Sequence, residues 1–444
     1  MDAPPSVTGG GNLVCVGVLR VTGMGHAEGA KMKVRWKKND RLKPQVLIDK
    51  LREITTVSGD GRVGYSAFEK HEVDSVILTM LDFDGNYSHS TIRKIFYEAQ
   101  GTFAKGEVFT KDSFLQELNA AFVRHGRQKE KIYVMVTSIS LLGGFPIKLI
   151  SSGNAIIKTH SSGLPKKFST RGKHKWNNEL EASPKSYCSI TVTLKSKDRM
   201  DAFHAAIHEL DYVRGVFSLL TNPVSEFNFG TPKIGSLNRI ILGGLHSLHH
   251  NDGELVDENL YWHERNYRVI KPTNIKSRDA MAKIARTIFR KVGLHGSASV
   301  IKSAIVRYVR AFDEHDKNIV ILKLWAALES MVSPFENNAE SIVRRCSFMF
   351  ADRPYYAQIL EHLREYRNRN VHTGQEIDIL DYHCYQLQVF FKEAVLFYIS
   401  NYKIFPTLAI ANKFLDLPSG FDELMHLKRS VNKALRYQRH YDDE

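Results

Sequence analysis

From residue 279 onward, apolar residues recur at helical spacing in one segment after another, and no other feature constrains the fold as much. The spacing predicts helices over 279–292, 299–312, 318–332, 339–350, 355–370 and 379–401, with a basic amphipathic helix over 421–440. Ser299 and Asn318 mark helix starts. Short polar connections imply antiparallel neighbours, hence a helical bundle over 279–444. Pro272, within 269–278, marks where the bundle begins.

The preceding region has a different rhythm. Alternating or β-branched runs predict strands at 12–21, 31–36, 73–81, 131–142, 146–150, 155–159, 187–194 and 238–242. Helical spacing recurs over 44–54, 90–97, 111–125 and 199–220. The expected class is therefore α+β, a mixed α/β region over 12–270 followed by an all-α bundle. The stretch 161–184, punctuated by Gly163, Pro165, Gly172 and Pro184, reads as a basic loop, or as a linker dividing that region into two subdomains. Residues 1–11, ending in three glycines, read as a flexible leader without a secretory signal.

Composition narrows the function classes. An apolar fraction of 43% supports real cores, and no apolar run reaches membrane-spanning length. Cys15, Cys188, Cys346 and Cys384 are scattered, which suits reduced thiols in a cytoplasmic protein better than a disulfide frame or a zinc site. No internal repeat, phosphate-binding loop or dinucleotide fingerprint is present, and no cofactor is expected. The formal charge is +14. Residues 281–444 hold 23 Lys+Arg and 19 Asp+Glu, so +10 of it lies earlier in the chain. Such a surplus suits a polyanionic partner, RNA or DNA, as well as plain solubility.

Several clusters are candidates for contact with nucleic acid or metal. Lys37 and Lys38 follow Trp36 and precede Arg41 and Lys43, a basic patch containing an aromatic. Lys166, Lys167, Arg171, Lys173 and Lys175 form a second basic set in the 161–184 stretch. Asp82 and Asp84 suit either a turn or Mg²⁺. His246, His249 and His250, with Glu254 and His263-Glu264, suit either a polar surface loop or a zinc site. The zinc alternative would make the chain a metal-dependent enzyme.

The densest polar chemistry is Tyr366-Arg367-Asn368-Arg369-Asn370-Val371-His372-Thr373-Gly374, at the end of an amphipathic run with Gly374 as a stop. An arginine keeps its charge and its planar fork matches a phosphate, while a histidine moves protons near neutrality. Together they make a minimal site for cleaving RNA with its own 2′-hydroxyl as nucleophile. On one helix Arg367 lies about 140° from His372, so fraying near Gly374 or pairing of two copies is needed to bring both to one phosphate.

Arg367-Asn368, four spacer positions at 368–371 and His372 resemble the signature of HEPN domains, and the Tyr-x-x-x-x-x-His-x-Gly order is similar to their ApeA-like branch. Leu324-Trp325-Ala326-Ala327-Leu328-Glu329-Ser330-Met331 fits the same resemblance. It covers about the last third of the chain. It implies a metal-independent endoribonuclease working as a homodimer through the bundle, in a prokaryotic anti-phage or abortive-infection setting. The N-terminal region would then sense a phage-derived trigger. The implied roles are acid/base chemistry for His372, charge stabilisation for Arg367, orientation for Asn368, strand contact for Arg369 and tuning of His372 for Glu329. The alternative is a non-catalytic HEPN dimerisation module carrying a basic nucleic-acid-binding or protein-binding region.

Overall fold

The computed structural model describes residues 34–84, 87–173, 183–224, 237–334, 339–373 and 380–439, with only the backbone for Ala67, Lys173, Ala339, 370–373 and Arg439. The leader, the strand predicted over 12–21, Lys175 and Gly374 lie outside them. The fold is α+β, with a helical C-terminal region. The chain divides into two units between Gln128 and Lys129.

In the first unit, β1 (Val34–Trp36) pairs antiparallel with β4 (Leu81–Phe83). Between them come α1 (Pro44–Glu53), the hairpin β2 (Thr55–Val57) and β3 (Val63–Tyr65), and α2 (Ala67–Met80). α3 (His89–Phe103) and α4 (Lys111–Arg127) follow. Ser88 caps α3 by accepting from the Thr91 amide, and Thr110 and Ser113 cap α4 reciprocally. Ile48, Leu51, Ile77, Ile95, Phe96, Phe114 and Leu118 make the core. The strand predicted over 73–81 is instead mostly α2. Val73, Ile77 and Met80 are its buried apolar residues, and their spacing of four and three is helical. A β-branched run had suggested a strand, but packing against α1 overrode local preference.

The second unit is built on a six-stranded antiparallel sheet of order β10-β9-β5-β8-β7-β6. Its strands are β5 (Lys131–Ile139), β6 (Leu149–Ser152), β7 (Ala155–His160), β8 (Cys188–Ser196), β9 (Leu245–His250) and β10 (Tyr261–His263). α5 (Arg199–Thr221), capped by Asp198, packs on one face. Alternation splits β5. Tyr133, Met135 and Ile139 join the core shared with α5, while Val134 and Val136 turn to the other face and meet Phe168.

The helices that follow are α6 (Arg278–Leu294), α7 (Ala298–Phe312), α8 (Lys317–Val332), α9 (Ala339–Phe348), α10 (Arg353–Thr373), α11 (Leu380–Ser400), α12 (Leu408–Leu415) and α13 (Phe421–Arg439). Side-chain caps are made at α8 and at α12, where Thr407 accepts from the Ile410 amide, but not by Ser277 at α6 or Ser297 at α7. Asp316 rather than Asn318 caps α8, by accepting from the Asn318 amide. One continuous core runs from the sheet through α5 into α7, α8 and α11. Neither 161–184 nor 269–278 therefore separates compact units. The α5–α7 approach is close enough to require Gly215, since a Cβ there would sit 2.6 Å from Ile305 Cγ2.

Charge is buried at the same junction. Arg214 on α5 is fully buried and bonds Asp211 and Asp313, each at 2.7 Å, and the Ile240 carbonyl at 3.1 Å. Arg310 on α7 joins Asp211 to Glu264. With each ion paired and bonded, the desolvation cost of burial is offset.

Candidate functional site

Helix α10 carries the Arg367–His372 stretch, and its buried face fixes its placement. Leu360, Leu363 and Tyr366 are inside. The Tyr366 hydroxyl donates to Asn318 Oδ1 at 2.7 Å, at the start of α8. The Tyr366 ring lies 4.9 Å from that of His383, at the start of α11. At the other end of α10, Tyr356 packs on Phe390 of α11. α10 therefore runs antiparallel to α11 and brings the stretch to the end of the bundle where α8 and α11 begin.

The backbone is helical to Thr373, so positions follow helix geometry. Taking Tyr366 as inward, Arg367 stands about 100° to one side and position 372 about 120° to the other. Asn368 lies between them, close to straight outward. Arg367 is half-buried and its Nη1 donates to Asn368 Oδ1 at 3.3 Å; Arg369 is exposed. A single copy thus presents Arg367, Asn368 and position 372 across the outward half of the helix, about 140° apart at the extremes.

Glu329 is not brought to this end. It sits eleven residues after Asn318 on α8, about 16 Å along the axis from the Tyr366 contact. It is half-buried, and among the described residues no ion pair involves its carboxylate. A role for Glu329 in tuning His372 within the same chain does not survive this geometry. The acidic residue was read from a motif; its level along the bundle depends on which helix ends meet.

Instead, an imidazole pair that the sequence reading did not single out lies beside the stretch. His362 on α10 and His383 on α11 approach with Nε2 to Nε2 at 3.1 Å. One must donate and the other accept, so both cannot be charged. His383 is 1% exposed and its Nδ1 has no partner. Burial, helped by repulsion from His362, pushes its pKa down to about 4. The only sequence signal was that His362 stands four positions before Tyr366.

The predicted basic patches fare unequally. Lys37, Lys38 and Lys166 are exposed. Trp36, however, stacks on Phe114 at 6.2 Å and donates to the Lys111 carbonyl, so it is not a platform for bases. Lys166–Lys173 is a 3-10 segment, not an open loop. Phe168 is buried, Lys167 Nζ donates to the Asn251 carbonyl, and Thr170 donates to the Gly253 carbonyl. Arg171 bonds Ser247 Oγ at 3.0 Å and the Leu245 carbonyl at 2.8 Å, and burial lowers its pKa to about 10. Arg171 therefore fastens the segment to β9 and is a structural group rather than an RNA ligand, while Lys167 is exposed and bonds the turn after β9.

The metal candidates dissolve in the same way. His246 and His249 are on the buried strand β9, not in a surface loop. His246 bonds Thr137 at 2.7 Å and Glu264 at 3.1 Å, and His249 bonds Ser247 and the Gly253 carbonyl. Bonds from His246 and Arg310 hold the Glu264 carboxyl well below the usual range despite its burial. Asp82 is paired with Arg35 at 2.8 Å. Among the described residues, no group of three or more His, Cys, Asp or Glu could hold a metal ion. Also among them, no helix is long and apolar enough to cross a membrane.

No protein-family model, no curated protein and no solved structure matches the chain.

Proposed function

We propose that this chain is a metal-independent endoribonuclease of HEPN type that acts as a homodimer. The observation that carries the reading is the Arg367-Asn368-x-x-x-His372 stretch on the outward half of α10, at an end anchored by the Tyr366–Asn318 bond. A cation, an amide and a proton-transfer group are what 2′-hydroxyl attack requires.

In this reading His372 takes the proton from the 2′-hydroxyl. The 2′-oxygen attacks phosphorus and the bond to the 5′-oxygen breaks. His372 of the second copy returns a proton to that oxygen. Arg367 holds the phosphoryl oxygens as their charge grows, and Asn368 orients the phosphate. The products are a 2′,3′-cyclic phosphate and a 5′-hydroxyl. The angular spread within one chain favours two-fold pairing, which sets two such faces opposite each other. Arg369, Lys37, Lys38 and Lys166 remain candidate contacts to the RNA backbone, and the first unit is the candidate sensor of a phage-derived trigger.

The test incubates purified protein with total RNA in excess chelator. Wild type should cleave, leaving 2′,3′-cyclic phosphate ends, and Arg367→Ala should lose rate more than affinity. Retention of RNA without cleavage would favour the non-catalytic dimerisation module instead.

A further inference from the structure

A cleft of about 380 Å³ opens on the first unit, between α2 and the start of α3. Its lining includes His71, Asp74, Leu78, His89, Arg93 and Tyr97. We propose that this cleft binds a small phosphomonoester carrying a planar group. The inference does not rest on the nuclease reading, since every residue in it belongs to the other unit.

Charge argues for an anion. The one carboxylate in the wall, Asp74, is buried and already neutralised: Lys70 Nζ lies 2.7 Å from Oδ2 and Gln100 Nε2 donates to Oδ1 at 2.6 Å. Lys70 is itself enclosed by the rings of Tyr65 and Tyr97, at 4.3 Å and 5.0 Å. Beyond this closed pair the nitrogen groups facing the cleft are a guanidinium and two imidazoles. Among the described residues Arg93 is braced by a single bond, Nη2 to Tyr97 Oη at 3.0 Å, which leaves the rest of its fork for a ligand. His71 and His89 are exposed and, among the described residues, carry no hydrogen bond or ion pair. Each therefore retains a donor that an anion could use.

Other features fit the same ligand. His89 opens α3, whose first turn holds no acidic residue, so the helix dipole adds to the positive field. The Ser75 and Thr79 hydroxyls donate to their own helix, so their lone pairs on the rim can accept only from a donor on the organic part of the ligand, not from the phosphate. Leu78 and the Tyr97 ring give the apolar part of the wall, on which a planar group can lie. The volume is within the range of small-ligand clefts.

Calorimetric titration of the full-length protein with adenosine 5′-monophosphate, and separately with inorganic phosphate, tests this. Saturable binding of both is expected, tighter for the monophosphate. Arg93→Gln should weaken both by about tenfold or more, the usual worth of a charge-assisted bond. His89→Gln should weaken both to a lesser degree. Arg93 is exposed and, among the described residues, bonds only Tyr97, so its replacement leaves the core intact. Lys105→Gln/Lys111→Gln, which removes two exposed charges of the same unit, should leave both affinities unchanged. Absence of saturable binding, wild-type affinity in Arg93→Gln, or an equal loss in the lysine variant would overturn the proposal. Equal affinity for the two probes would refute the planar-group part.

Discussion

Replacing His383 with glutamine should change how the stability of the second unit depends on pH. Glutamine keeps a hydrogen bond to His362 but cannot titrate. In the folded chain the His383 pKa is pushed down to about 4, first by burial and then by His362. Unfolded, it returns to about 6.5. Between those values the unfolded chain binds more protons, so stability is complete above pH 6.5 and is lost as pH falls toward 4. The loss is about 2 kcal/mol at pH 5 and roughly 3 kcal/mol by pH 4, from about 1.4 kcal/mol per pKa unit. His160, His295 and His315 are also shifted down and contribute in the same direction, so the difference between wild type and variant isolates His383. Urea unfolding of both proteins at pH 7, 6 and 5 is the assay. The variant should gain on wild type by about 2 kcal/mol between pH 7 and pH 5. A difference that stays flat over that range would refute the reading of His383 as a buried neutral imidazole.

Other outcomes follow from the same packing. Tyr366→Phe should cost about 1 kcal/mol by removing the bond that holds the α10 stretch to Asn318, measured by denaturant unfolding. Arg214→Met should cost about 3–5 kcal/mol, because Asp211 and Asp313 lose a buried partner; a loss below about 1 kcal/mol would mean that the network is not closed as described. Mixing inactive Arg367→Ala with inactive His372→Ala should restore part of the cleavage if the site is shared between copies, and none if each copy works alone.

The helical half was legible because amphipathic spacing is local. The periods from Asp279 to Ser400 gave α6 to α11 nearly to their ends, although α12 passed unnoticed as too short to show a period. What failed depended on distant partners. The histidines of β9 looked like surface residues because histidine is polar, yet Thr137, over a hundred residues away in sequence, and Glu264 make burial of His246 affordable. Arg171 looked like a free cation until Ser247 and the Leu245 carbonyl were placed beside it. Val73–Leu81 misled because its β-branched residues obscured the helical spacing of Val73, Ile77 and Met80. At the candidate site, residue identity was readable, but the level of Glu329 along the bundle was not, since that depends on which helix ends meet.

The most direct test of the central claim is the rate of RNA cleavage by His372→Ala in chelator, beside wild type and with folding checked by circular dichroism. Position 372 is one residue from the end of α10, and the circular dichroism comparison shows directly that the variant is folded. The account predicts cleavage by wild type without metal and a loss of at least about a hundredfold in the variant. A folded variant that cleaves at the wild-type rate, or a wild type inert until Mg²⁺ is added, would contradict it.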